Sequence, residues 1–266
     1  MALKALFFDF GGTLDLYPDV LEDCITSAGR MLDLLAEAGI NLKSKYSSEE
    51  FYYFVTGRYR EYRKWKNETL TELPEKEVWK NYILYEESRK ELLDCRTARE
   101  ITYLIDSGFH TRTVRPEAEE ALENLKKFNL KTGIISNVLS SVQVQRDLER
   151  YGIAGYFNPV VTSASFGKIK PHSSIFIHAA ALAEVSPEEC VYIGNSPRND
   201  IQGSRDAGFK TAVLIHYSLT SGFDARPGIM ADYSIDSLLE LPEIVEKLLA
   251  GSRAIRPVGK EAHNVK

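Results

Sequence analysis

The chain has 266 residues, of which 44% are hydrophobic and 27% are charged, a composition typical of a globular protein with a sizeable core. Lysine and arginine total 33, whereas aspartate and glutamate total 38, so the formal net charge is −5. This acidic balance argues against a general nucleic-acid binder or a protein that binds anionic membranes, because both need a basic surface. No apolar run approaches the roughly 20 residues that span a bilayer.

The N-terminus and the cysteines indicate the compartment. The first apolar run ends within a few residues at Asp9, which makes it too short for a secretory signal peptide. The three cysteines, Cys24, Cys95 and Cys190, are odd in number and lack the spacing of metal ligands. We therefore expect a cytoplasmic protein with reduced cysteines and without nucleic-acid or membrane partners.

The first predicted element is a buried strand over residues 3–10, a short apolar run rich in phenylalanine. Gly11 and Gly12 end this strand, because glycine permits backbone turns that are closed to other residues. The long stretch that follows has helical periodicity and no strand-like alternation. Helices are predicted over residues 20–38, 48–65, 75–93 and 97–106, with capping sequences at 47–50 and 97–100.

Beyond Arg115 and Pro116, apolar strands alternate with amphipathic helices. Strands are predicted over residues 131–136, 159–163, 190–194, 211–215 and 233–235, and helices over 140–151, 173–183, 200–207 and 238–249. Such alternation predicts an α/β fold with a Rossmann-like parallel sheet covered on both faces. The predicted domains are an α/β core (residues 1–16 and 114–250), an inserted all-helical cap (17–113) and a disordered tail (251–266).

Polar residues follow several predicted strands. In open parallel sheets the carboxyl ends of the strands meet at one edge, where binding sites form. The sequence therefore predicts a site that combines carboxylates, hydroxyls and one ammonium group. Its candidate residues, in chain order, are Asp9, Thr13, Ser136, Asn137, Lys170, Asn195 and Asp200.

The order of these motifs resembles that of the haloacid dehalogenase-like (HAD) hydrolase superfamily, with a helical cap of the C1 type inserted after the first motif. The resemblance covers residues 3–235. It implies that Asp9 is the nucleophile, which attacks phosphorus, or carbon in the dehalogenase branch, and forms an aspartyl intermediate. It also implies that Lys170 neutralises the nucleophile and the charge that develops on the transferred group.

The resemblance further implies which groups contact the substrate. Thr13 and Ser136 would hydrogen-bond the phosphoryl oxygens, assisted by the backbone N–H groups of Phe10 and Gly11. Asn137, next to Ser136, joins them as a substrate-binding residue. The implied partner is a small molecule, a phosphate ester, and the chain is expected to be a monomer or a homodimer.

A Mg²⁺ ion would be held by hard oxygen ligands from Asp9, the Gly11 carbonyl, Asn195 and Asp200. Two of these positions depart from the family pattern. Gly11 stands where the family has an aspartate that acts as general acid and base, and Asn195 stands where the family has an aspartate that binds the metal. The usual site carries a net charge of −3, whereas this one carries −1, so we expect weakened Mg²⁺ binding.

Three functions follow from these residues. The leading prediction is a Mg²⁺-assisted phosphatase that acts on a small phosphomonoester. The second is a metal-independent 2-haloacid dehalogenase, because that branch also lacks the second aspartate. It would need a cation for the substrate carboxylate, for which the cap offers Arg58, Arg60 and Arg63. The third is a non-catalytic binding protein on a degenerate HAD scaffold.

Four residues just after the first motif complete the sequence-based interpretation. Asp15 and Asp19 lie outside the positions of the family pattern, and neither is expected to replace the missing acid. Tyr17 and Pro18 stand where the chain enters the cap. We interpret them as hinge residues, with a position beside the substrate as the alternative.

Overall fold

The computed structural model describes residues 2–18, 20–109, 111–216 and 229–253. The described residues form a parallel six-stranded sheet of β1 (Ala5–Phe8), β4 (Lys131–Ser136), β5 (Val160–Thr162), β6 (Cys190–Gly194), β7 (Thr211–Ile215) and β8 (Tyr233–Ile235). The strands lie in the order β5-β4-β1-β6-β7-β8. The predicted parallel sheet is confirmed, although β1 is shorter at both ends than predicted.

The strand register places the ends of three strands side by side. Phe8, the last residue of β1, pairs with Ile134 of β4 on one side and with Ile193 of β6 on the other. The residues that follow these strands therefore emerge at one edge of the sheet, at its centre.

The sheet is covered on both faces, as predicted for a parallel sheet. Successive strand residues point to opposite faces. Leu6 and Phe8 belong to an apolar cluster on one face, and Ala5 and Phe7 belong to a cluster on the other. The flanking helices are α5 (Ala118–Lys126), α6 (Gln143–Arg150), α7 (Ser163–Phe166), α8 (Ser173–Leu182), α9 (Gly203–Asp206) and α10 (Leu241–Arg253). A π-helical turn, Pro197–Gln202, precedes α9.

A helical insertion lies between two short antiparallel strands, β2 (Asp15–Leu16) and β3 (Thr113–Val114). Its helices are α1 (Leu21–Glu37), α2 (Ser48–Thr69), α3 (Glu75–Val78) and α4 (Cys95–Tyr103), with π-helical turns at Trp79–Ile83 and Leu104–Gly108 and a 3₁₀ turn at Lys90–Leu92. The insertion has its own apolar core between Cys24 and Phe109, which Leu139 joins from outside the insertion. The division into core and cap domains stays a prediction.

Several predicted boundaries were wrong. The helix predicted over residues 75–93 ends at Ile83, and the chain reaches α4 through turns. The capping box predicted at 97–100 is absent, because Asp94 caps α4 and accepts a hydrogen bond from the Thr97 N–H at 2.7 Å. The capping sequence predicted at 47–50 is confirmed, and Ser47 and Glu50 form a capping box there.

Three further differences concern whole elements or their starts. The strands β2 and β3 and the helix α5 were not predicted, and α6 begins three residues later than predicted. At the C-terminus, α10 continues to Arg253, so residues 251–253 do not belong to a disordered tail, and the rest of that prediction (254–266) lies outside the described residues. Within the described ranges, no helix is long and apolar enough to cross a membrane.

Candidate active site

The turn after β1 places Asp9 and Thr13 at the edge of the sheet. The Asp9 N–H donates to the Ile193 carbonyl at 2.8 Å, which continues the β1–β6 ladder by one residue. The chain then reverses, because the N–H groups of Thr13, Leu14 and Asp15 all donate to the Phe10 carbonyl at 2.9–3.2 Å. This tight turn brings the Thr13 side chain into the interior just beyond Asp9.

Lys170 lies at the centre of the site. Its Nζ is 2.8 Å from Asp9 Oδ1 and 2.6 Å from Asp200 Oδ1, and it donates to the Tyr192 hydroxyl at 2.8 Å. The lysine side chain is only 2% exposed. Burial alone would lower the pKa of Lys170, but the two carboxylates outweigh it, and the pKa is raised. Lys170 is therefore an ammonium group shared by two carboxylates.

Asn137 fixes the backbone of Lys170. Its Oδ1 accepts from the Lys170 N–H at 2.8 Å, and its Nδ2 donates to the Lys170 carbonyl at 2.9 Å. This paired contact uses both ends of the amide, so Asn137 positions the lysine. Ser136, the last residue of β4, is buried beside it at the same edge.

Asp200 is fully buried and packs against Gly194. Its Oδ2 accepts from the Ser196 N–H at 2.8 Å, while Oδ1 faces Lys170. A Cβ at position 194 would lie 2.4 Å from Asp200 Cγ, so only glycine leaves room for this carboxylate. Burial raises the pKa of Asp200 above its usual value, against the effect of Lys170.

The Asp9 carboxylate, the Gly11 carbonyl and the Asn195 side-chain amide lie together at this edge. The amide is oriented so that its Nδ2 donates to both oxygens, the Gly11 carbonyl and Asp9 Oδ2, at 3.3 Å each. Rotating the amide would present its oxygen to the same place. In that orientation the metal ligands would be two neutral oxygens and one carboxylate. Oxygen ligands suit a hard divalent cation such as Mg²⁺, although only one of the three is charged. In the described ranges, no three His, Cys, Asp or Glu side chains group as a metal cluster.

A buried hydroxyl and two backbone N–H groups have no acceptor among the described residues. Thr13 Oγ1 is fully buried and has no hydrogen-bond partner within that part of the chain. No described residue accepts a backbone hydrogen bond from Phe10 or Gly11. Leaving a buried hydroxyl unpaired is costly, so these donors indicate a site that an oxyanion completes.

Asp15 and Arg58, which the sequence analysis also considered, form ion pairs. Asp15 Oδ2 pairs with Arg112 Nη1 at 2.7 Å, and burial raises the pKa of Asp15 to about 6. Asp19 lies outside the described residues. Arg58 pairs with Glu86 on the surface of the insertion.

The sequence interpretation missed two contributors to the site. Tyr192 reads as an ordinary core aromatic of β6, yet its hydroxyl contacts Lys170 and donates to the Ile135 carbonyl at 2.7 Å. Asp106 of the insertion accepts hydrogen bonds from the N–H groups of Leu139 and Ser140, at 2.8 and 2.7 Å. The insertion therefore binds directly to the loop that follows β4. No spacing in the sequence signals either contact.

The chain resembles known proteins over much of its length. A family model described as haloacid dehalogenase-like hydrolase matches residues 3–208. The glyceraldehyde 3-phosphate phosphatase of Methanocaldococcus jannaschii is 33% identical over 133 residues, which are 50% of this chain and 57% of that protein. The chain spans about half the length of the curated relatives it matches.

Two solved structures extend the likeness over most of the chain. A HAD phosphatase from Thermococcus onnurineus aligns with a TM-score of 0.54 at 25% identity, and covers 91% of this chain and 98% of its own. A 2-haloacid dehalogenase from Pseudomonas syringae aligns with a TM-score of 0.61 at 24% identity, and covers 92% and 99%. The second comparison supports the fold alone.

Proposed function

This chain belongs to the haloacid dehalogenase-like hydrolases, and from that premise we propose that it is a Mg²⁺-assisted phosphatase that forms an aspartyl-phosphate at Asp9. The proposed substrate is a small phosphomonoester. The name of the relative from M. jannaschii, a phosphatase of a small phosphorylated molecule, supports this class.

One observation carries the proposal. The Asp9 carboxylate presents Oδ1 to the Lys170 ammonium at 2.8 Å, while the buried Thr13 hydroxyl in the same turn has no partner. The arrangement supplies a nucleophile, a cation and an unused donor at one strand end. A phosphoryl group carries oxygens for the unused donor and charge for the cation.

The reaction would proceed in two displacements. An Asp9 oxygen attacks phosphorus, the bond to the leaving oxygen breaks, and the phosphoryl group is transferred to the carboxylate. Lys170 offsets the charge of both the nucleophile and the phosphoryl oxygens, and Thr13 and Ser136 orient those oxygens. Water then attacks phosphorus, which releases inorganic phosphate and restores Asp9.

A metal ion would be held by Asp9 Oδ2, the Gly11 carbonyl and the rotated Asn195 amide. Asp200, the fourth ligand predicted from the sequence, instead binds Lys170 through Oδ1 and the Ser196 N–H through Oδ2. When bound, Mg²⁺ supplies positive charge that helps to neutralise the transferred phosphoryl group. Asp9 is the only charged group among these three ligands. We therefore expect half-saturation at a higher Mg²⁺ concentration than in a site with two carboxylate ligands.

The test is hydrolysis of p-nitrophenyl phosphate with and without Mg²⁺. Wild type should turn over with Mg²⁺, and Asp9→Asn should lose activity to background, because an amide does not form the acyl phosphate. Asp33→Asn is the matched control, since this exposed aspartate has Lys43 as its only ion-pair partner among the described residues and should keep full activity.

Three results would contradict the proposal. Undiminished turnover in Asp9→Asn would remove the aspartyl mechanism. Halide release from a 2-haloacid, insensitive to a chelator and without phosphate turnover, would replace the phosphatase with a dehalogenase. Stoichiometric binding of phosphate esters without turnover would indicate a binding protein.

A further inference from the structure

The place of the missing acid at position 11 is already filled by other side chains. A Cβ at Gly11 would lie 3.3 Å from Tyr17 Cε1 and 3.8 Å from Arg112 Nη1. Cε1 is bonded to the ring carbon that carries the hydroxyl. A tyrosine ring therefore occupies the direction in which a carboxyl side chain at this position would extend.

The backbone holds Tyr17 there by a short antiparallel ribbon. Asp15 pairs with Val114 and Leu16 pairs with Thr113, and the Thr111 N–H donates to the Pro18 carbonyl at 3.0 Å. Gly12, with a φ of +79°, provides the reversal that lets the chain return over Gly11. The residues before and after Tyr17 are therefore both hydrogen-bonded to the backbone at the end of the insertion, which fixes the position of the Tyr17 backbone.

Arg112 holds the ring from the other side. Its guanidinium lies 5.0 Å from the centre of the Tyr17 ring, within the range of a cation–π contact. Arg112 is itself fixed, because Nη1 donates to Asp15 Oδ2 at 2.7 Å and Nε donates to the Asp106 carbonyl at 2.6 Å. These contacts hold the Tyr17 ring in place beside Gly11.

We propose that Tyr17 donates the proton to the leaving oxygen, in place of the carboxylic acid that Gly11 lacks. This inference rests on the proposed phosphatase function. In the first displacement, Asp9 bonds to phosphorus, the bond from phosphorus to the leaving oxygen breaks, and the Tyr17 hydroxyl proton moves to that oxygen. In the second, a proton from the attacking water returns to Tyr17 and the bond from phosphorus to Asp9 breaks.

Tyr17→Phe should separate substrates by their leaving groups. p-Nitrophenyl phosphate releases a stable phenolate that needs no proton, whereas benzyl phosphate, of similar size, releases an alkoxide that does. We expect kcat/KM of the variant to stay within about threefold of wild type on the nitrophenyl ester and to fall about 10²-fold on the benzyl ester.

Tyr151→Phe is the matched control. Tyr151 stacks on Phe10 with ring centroids 6.2 Å apart, and its hydroxyl lies 3.5 Å from Asp15 Oδ2. It therefore lies near the same charges, whereas the atoms nearest to a Cβ at Gly11 belong to Tyr17 and Arg112. Its loss should change both substrates by the same small factor. The ratio of the two kcat/KM values is independent of how much of each variant is folded.

The outcomes separate this inference from the proposed function. Equal losses on both substrates, or none on either, with an active wild type would overturn the role of Tyr17 and leave the phosphatase proposal intact. A wild type inactive on both esters would overturn the phosphatase proposal and, with it, the proton donor.

Discussion

A buried ion pair inside the helical insertion gives the sharpest stability test. Lys66 Nζ lies 3.0 Å from Glu72 Oε2, and the two side chains are 9% and 0% exposed. Glu72 also accepts hydrogen bonds from the Tyr62 hydroxyl at 2.5 Å and from Ser163 Oγ at 2.9 Å. Because Ser163 in turn accepts from the Val138 N–H, the pair connects the insertion to the loop after β4.

Removing one partner should cost more than removing both. Glu72→Gln keeps the shape of the side chain but leaves a buried ammonium without its counter-charge, and Lys66→Met leaves a buried carboxylate without its cation. Breaking a buried pair in this way costs about 3–5 kcal/mol, whereas replacing the whole pair is often close to neutral. We therefore expect a large loss of stability in each single variant, and a loss in the double variant that is well below the sum of the two single losses.

Urea unfolding of the four proteins in the cycle measures these free energies. The exposed pair between Lys43 and Asp33 is the control, with side chains 52% and 57% exposed. Its coupling should be only about 0–1 kcal/mol, because solvent screens the charges. If Glu72→Gln and Lys66→Met each cost under about 1 kcal/mol, the pair is hydrated in solution and the reasoning from burial is refuted.

Two further predictions test the packing around the site and the cysteines. Gly194→Ala should displace the Asp200 carboxylate, since the added Cβ would lie 2.4 Å from Asp200 Cγ. We expect a stability loss of about 1–3 kcal/mol and phosphatase activity at least about tenfold lower. Unchanged activity would contradict this account of the packing. Iodoacetamide should label Cys95 alone in the native protein, because Cys95 is exposed, Cys24 is buried, and burial raises the pKa of Cys190 to about 12. Mass spectrometry locates the label, and labelling at either buried thiol would contradict this prediction.

The sheet was predictable from the sequence because its strands are apolar runs that end at turn residues. The central strand β6 is buried at every position and ends at Gly194, so the sequence alone marks it. The insertion was harder to predict. Leu84 and Leu93 are both buried, although the helical backbone has already ended at Ile83. Burial alone therefore could not separate a helix from a packed turn.

The α5 helix shows a signal that was present and missed. Ala118, Ala121, Leu122 and Leu125 are buried at helical spacing, directly after Pro116. The contacts around Gly11 differ in kind, because Arg112 and Gly11 are far apart in the sequence and meet only through the β2–β3 ribbon. The motif positions could be predicted from the resemblance, whereas the side chains that fill a vacated position depend on the tertiary fold.

Both departures from the family pattern remove negative charge from the site. Gly11 and Asn195 each replace a carboxylate, which leaves Asp9 and Asp200 to share Lys170. Two unit charges 4 Å apart interact by about 4 kcal/mol at an effective dielectric constant of 20, before desolvation offsets part of it. Fewer carboxylates attract a divalent cation less, and for the same reason they repel a phosphate dianion less. For the proposed phosphatase, we therefore expect the site to depend less on a metal to admit the substrate, and more on Lys170 and the Thr13 hydroxyl to hold it.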